Sequence, residues 1–124
     1  LESVMTWIIE GQLLTEDIGS VTGFVKEVRW AYQYENDGVV GQINNTIDFE
    51  YDPSASFTPF ADLTQEQVVD WVKDSLGADA VSYYEAKTAE VVDAAVASEE
   101  PSPRKIFITS PYTGSDQNQN QPWA

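Results

Sequence analysis

A chain of 124 residues with a formal net charge of −15 and neither cysteine nor histidine has room for one hydrophobic core and no more. Without cysteine there is no disulfide framework, thiolate nucleophile or zinc–thiolate site; without histidine there is no Ser-His-Asp or Cys-His arrangement, no imidazole acid–base catalysis and no histidine metal ligand. The acidity disfavours direct contact with nucleic acid or an anionic membrane and favours a basic partner, cations or simple solubility.

Apolar runs such as Trp7-Ile8-Ile9 are too short to span a bilayer, and no stretch has the basic front and long apolar centre of a signal peptide. A soluble protein is expected. The charge is uneven: residues 1–100 hold twenty acidic and four basic side chains, whereas 101–124 hold Arg104 and Lys105 against Asp116. That shift divides the chain into a domain over 1–100 and a C-terminal arm over 101–124.

From Val4 to Leu14, Met5, Trp7 and Ile9 alternate with Thr6, Ile8 and Glu10, which predicts a strand buried on at least one face. Phe24, Val28, Trp30, Tyr32 and Tyr34 share one face of a second strand, interrupted by Lys26. Glu35-Asn36-Asp37-Gly38 then supplies a hairpin turn tolerant of positive φ. In the third strand the odd positions from Val39 to Tyr51 are largely apolar and the even positions largely polar, as a half-buried antiparallel strand requires. Two prolines, Pro53 and Pro59, lead the chain out of the sheet.

Residues 63–77 predict a complete amphipathic helix. Thr64 caps it, Gln67 reaches back in a capping box, Leu63 staples onto Val68, and Gly77 stops it. Val68, Val69, Val72 and Leu76 form its apolar stripe, with Trp71 at the border. A second helix is predicted from about Asp79 to Ser98, with Val81, Tyr84, Thr88, Val91 and Ala95 on one stripe, ended by Glu99-Glu100-Pro101-Ser102-Pro103. The predicted fold class is therefore α+β: an antiparallel three-stranded β-meander packed by an αα-hairpin, with an extended C-terminal arm.

The arm contains one short strand candidate, Lys105-Ile106-Phe107-Ile108-Thr109, and then a polar Gly/Ser/Gln/Asn tract too poor in apolar groups to order itself. Ile106, Phe107, Ile108, Tyr112 and Trp123 are spaced along it as anchors that order on contact, and these are the candidate partner-binding residues. No constellation carries catalysis. Glu16-Asp17 and Glu99-Glu100 are sequence neighbours that do not face each other on a helix, the glycines never take a phosphate-cradling spacing, and the Asp37 turn lacks the ligands of a calcium loop. No catalytic residue, metal ligand or cofactor is expected.

Met5-Thr6-Trp7-Ile8, the aromatic strand ending near Asp37-Gly38, Phe57-Thr58-Pro59-Phe60, the helix end Trp71-Val72-Lys73-Asp74-Ser75-Leu76-Gly77 and the terminal Pro122-Trp123 together resemble a family of small proteins of tailed bacteriophages, of marine and cyanophage type. The resemblance spans most of the chain, departs from it in the longer polar tail with Tyr112, and brings no catalytic residues. Its members begin at the equivalent of Met5, which makes Leu1-Glu2-Ser3-Val4 an extension relative to them, whether through an unusual start codon, processing or a start assigned upstream.

What the resemblance implies is a virion structural protein, foremost a capsid decoration or cement subunit present in many copies, assembled in the host cytoplasm. Its partners would be the major capsid protein or other virion proteins, without direct contact with nucleic acid or membrane. The alternatives are a neck or tail component of the virion, or an acidic DNA mimic that inhibits a host protein.

Overall fold

The computed structural model describes residues 4–98, 104–109 and 118–123. It is an α+β structure with a four-stranded mixed sheet and two helices. The elements run β1 (Val4–Ile18), β2 (Val21–Asn36), β3 (Val39–Asp48), a 3-10 turn at Phe60–Asp62, α1 (Gln65–Leu76), α2 (Ala78–Ala97) and β4 (Arg104–Phe107). The sheet order is β1-β2-β3-β4; the first three strands are antiparallel, and β4 lies parallel to β3.

The β2–β3 hairpin closes where the sequence predicts it. Asn36 pairs with Val39 across Asp37 and Gly38, whose φ values of 50° and 78° are those of a two-residue turn matched to the strand twist. The ladder sets Trp30, Tyr32 and Ile43 on one face beside Trp7 and Ile9 of β1, and α2 covers that face across β2 and β3 while α1 lies against β1. Helix and sheet meet closely at Gly41. A Cβ there would stand 2.5 Å from Val92 Cγ2 and 3.1 Å from Thr88 Cγ2, so only glycine admits α2 at this distance.

Helix α1 is capped as its sequence foretells, with Thr64 Oγ1 accepting from the Gln67 N–H at 3.2 Å and Val68, Val69 and Val72 buried. The Gln67 side chain does not reach back to the cap; its Nε2 donates to Thr58 Oγ1 at 3.2 Å and ties the preceding loop to the helix. Gly77, at φ 88°, ends α1 and opens directly into α2. The buried centre of α2 is Thr88 and Val92, one position beyond Val91, since Thr88 and Val92 stand one full turn apart over Gly41. The Thr88 hydroxyl is satisfied within the helix by donating to Tyr84 O at 2.7 Å.

Three further features depart from the sequence reading. The even face of β3 is polar but not open: Gln42 and Asn44 are buried. Gln42 accepts from Gln33 Nε2 at 2.7 Å and donates to Glu10, and Asn44 is bracketed by the Thr109 hydroxyl. Next, the meander gains a fourth, parallel strand, because the outward backbone of β3 is satisfied by β4 and by Ile108 N–H donating to Gln42 O at 2.8 Å. Finally, the described parts of 101–124 lie against the sheet. Residues 104–109 line β3, and 118–123 return to β1 on the opposite edge of the sheet. An apolar side chain that finds its own core escapes water without the entropic cost of association, and Ile108 and Trp123 are placed in this way. The expected helix-ending segment 99–103 lies outside the described residues.

Candidate functional site

β1 is an edge strand, and its two halves differ. Between the pairs Glu10↔Arg29 and Leu14↔Glu27 it carries Gly11, Gln12 and Leu13 against the single residue Val28 of β2, a bulge that swings the backbone outward. Gly11 makes this possible with φ 62°, and the Arg29 guanidinium occupies the space a Cβ would take. The C-terminal segment then closes the bulge. Leu13 N–H donates to Gln119 O at 2.7 Å, and Leu13 O accepts from the N–H groups of Asn118 and Gln119 at 3.0 Å. Asn118 Oδ1 accepts from Thr15 N–H at 2.9 Å, and Gln121 Nε2 donates to both Ile9 O and Gly11 O at 2.9 Å. On the helix side, Ile9 N–H donates to Gln65 Oε1 at 3.0 Å.

Because Ile9 turns its N–H and C=O outward, the two-residue period of the strand turns those of Met5 and Trp7 outward as well. None of the hydrogen bonds among the described residues reaches these groups. The stretch from Val4 to Ile8 contains no charge, and Val4 and Met5 are 53% and 65% exposed. Beside it runs an open groove of about 470 Å³ between the strand and α1, walled by Met5, Trp7, Val69, Asp70 and Lys73. The strand is held stiff behind this edge. Trp7 stacks obliquely on Trp30 and Tyr32 at 5.4 and 5.0 Å, its Nε1 donates to Glu85 Oε2 at 3.0 Å, and Lys73 Nζ lies 5.4 Å from its ring centre. Burial, then the nearby Glu85 carboxylate and Tyr34, push the Tyr32 phenol up to about 12.

The residues singled out in the sequence fall into three groups. Ile108 and Trp123 pack against the core cluster of their own chain, and Ile106 is half-buried in β4 opposite Gly41. Phe107 remains 46% exposed, with Lys105 Nζ 4.9 Å from its ring centre. Tyr112 lies outside the described residues. The sequence predicts β1 as a strand buried on at least one face without saying which stretch of it is left open; the available signal was five successive residues without charge in a chain of −15.

Among the described residues no three carboxylates gather as a metal site, and no helix is long and apolar enough to cross a membrane. No curated protein and no solved structure matches the chain significantly. The model of a family described as a domain of unknown function, DUF7936, matches residues 3–106, from before β1 into β4, and the chain belongs to that family.

Proposed function

We propose that this chain is a non-catalytic assembly subunit whose joint is the open half of β1, and that it serves as a structural component of a bacteriophage particle, foremost a decoration or cement subunit on the head. The observation that carries the joint is the uncharged edge from Val4 to Ile8, whose outward groups take no hydrogen bond among the described residues, beside a groove on a stiffly held strand. Proteins ordinarily blunt such edges with charge, proline or a covering segment, and among the described residues the hydrogen bonds of the covering segment to β1 reach no further than Ile9. A strand from a neighbouring subunit pairing with Met5 and Trp7 would gain main-chain bonds, with Val69 receiving an apolar side chain. The pair α1 and α2, acting as an αα-hairpin brace, keeps this edge from bending away. Of the tail residues described, exposed Phe107 is placed to add a contact at the other edge.

The particle itself rests on the sequence resemblance, and many copies would turn a weak joint into a durable one through avidity. The charge of −15 favours a second reading, an acidic DNA mimic that occupies a host protein. Two measurements separate these readings. Mass spectrometry of purified particles finds the chain in quantity if it is a virion subunit, and its absence there ends that reading. Met5→Pro removes an outward N–H without touching the β1–β2 ladder, so it should fold and yet fail to join particles lacking the native copy. Normal incorporation of that variant would move the joint elsewhere on the molecule.

A further inference from the structure

On the other side of α1, the loop between β3 and the 3-10 turn holds an aromatic cleft that the β1 edge does not involve. Phe49 meets Trp71 edge-on at 6.1 Å, and Phe24 meets Tyr51 in the same way at 5.7 Å. Between them opens a cleft of about 310 Å³ walled by Phe24, Phe49, Phe57, Leu63 and Trp71, with Asp74 at its polar side. Its volume suits one large apolar side chain with room to spare. Phe57 stands on the wall 42% exposed, a large aromatic left in water at a place where Thr58 is fastened to Gln67. A second hollow of about 280 Å³ shares Phe24, Ser56 and Phe57 with the first and continues past Glu50, Tyr51 and Asp52.

The charge is one-sided. Asp74 lines the first hollow, Glu50 and Asp52 line the second, and neither is lined by a lysine or arginine. Four of the chain's cations are engaged elsewhere: Lys26 with Glu16, Lys87 with Glu90, Lys73 over Trp7 and Lys105 over Phe107. The Asp52 carboxylate is fixed in place by the N–H and hydroxyl of Ser54 at 2.9 and 2.7 Å, and these bonds hold it below the usual carboxylate range.

We propose that this double cleft docks a basic linear segment of a partner protein, which seats one aromatic or large aliphatic side chain between Phe49, Phe57 and Trp71 and lays a neighbouring lysine or arginine between Glu50 and Asp52. The apolar hollow supplies the affinity, as buried aromatic anchors do at interfaces. The carboxylates choose the partner, because a segment with acidic flanks meets three anions and no cation. The ring of Tyr51, a wall of the second hollow, offers a face to the same cation.

The test uses the intact protein and fluorescently labelled peptides in a polarisation assay. One peptide carries a phenylalanine with an arginine two residues on, a second replaces that arginine with glutamate, and a third replaces the phenylalanine with serine. The first should bind at least about tenfold more tightly than either of the others and should weaken as salt rises from about 0.05 to about 0.5 M. Phe57→Ser, at an exposed position, should reduce binding of the first peptide about tenfold. The surface double variant Glu50→Gln with Asp52→Asn should reduce it about threefold and remove most of the salt dependence. Equal affinity for the three peptides, unchanged affinity in both variants, binding of free indole as tight as that of the peptide, or no binding up to about 1 mM would each overturn the proposal.

Discussion

Val4–Ile8 and Ile9–Thr15 belong to one strand and pair with one neighbour, yet their outward edges are treated in opposite ways. The second stretch is bulged, and its amides and carbonyls are taken by Gln65, Asn118, Gln119 and Gln121. The first is regular and uncharged, with none of its outward groups taken among the described residues. Composition alone does not explain the difference, since Glu10 in the second stretch is not what closes its edge. What separates them is where other parts of the chain arrive. An edge is therefore a property of the tertiary fold, and the open half is where the proposed joint can be tested against the closed half beside it.

The largest effect should come from breaking the closed half. Leu13 is fully buried at the bulge, and Leu13→Asp places an unpaired charge in the core. It should cost about 4 kcal/mol or more and unfold the domain, as a urea or thermal melt would show. A stable Leu13→Asp protein would mean that the bulge is open to water and that the two halves do not differ.

A smaller effect is expected at the clasp. Trp123 packs on the core from the segment that seals Ile9 to Thr15, so Trp123→Ala should lower stability by about 2 kcal/mol. It should also speed amide hydrogen exchange at Leu13 and Thr15 while leaving Ile43 protected. Uniform exchange across the sheet would make the clasp an ordinary part of the core rather than a separate closure.

The pin behind the open half offers the gentlest probe. Tyr32 lies opposite Trp7 with its phenol held near 12, against about 10 for an unfolded tyrosine. Between those values the unfolded chain has released its proton and the folded chain has kept it, so stability is full below pH 10 and falls as pH rises toward 12. The slope should approach about 1.4 kcal/mol per pH unit at most. Tyr32→Phe should flatten this fall in urea titrations at pH 9, 10 and 11. An unchanged slope in the variant would assign the alkaline loss to other groups.

Local chemistry was legible in the sequence wherever neighbours in the chain decide the outcome. The Asp37-Gly38 turn, the Thr64 cap, the Gly77 stop and the valine stripe of α1 each follow from residues within a few positions of one another. The parallel seat of β4 was not legible, because Arg104–Phe107 is too short for a period and its partner lies more than sixty residues away. Burial of Gln42 and Asn44 was hidden for the same reason: their partners Glu10 and Thr109 come from distant parts of the chain. Trp123 read as a tether because its polar surroundings have no core of their own, yet Gln119 and Gln121 spend their amides on the bulge of β1. Of the two proposed surfaces, the aromatic content of the cleft read as core, and the uncharged run from Val4 to Ile8 was visible without showing that it lies on an outer edge.

The bond from Gln121 to Ile9 spans 112 positions of the chain. During synthesis the first strand leaves the ribosome long before its seal exists, and at 5–20 residues per second the delay is on the order of 5–20 s. Throughout that interval the whole outer border of β1, bulge included, faces solvent and any neighbouring nascent chain. The segment 118–123 therefore acts as a timer on the edge it covers: the bulged half of β1 becomes inert only once that segment has emerged and docked, while no hydrogen bond among the described residues closes the outward groups from Val4 to Ile8.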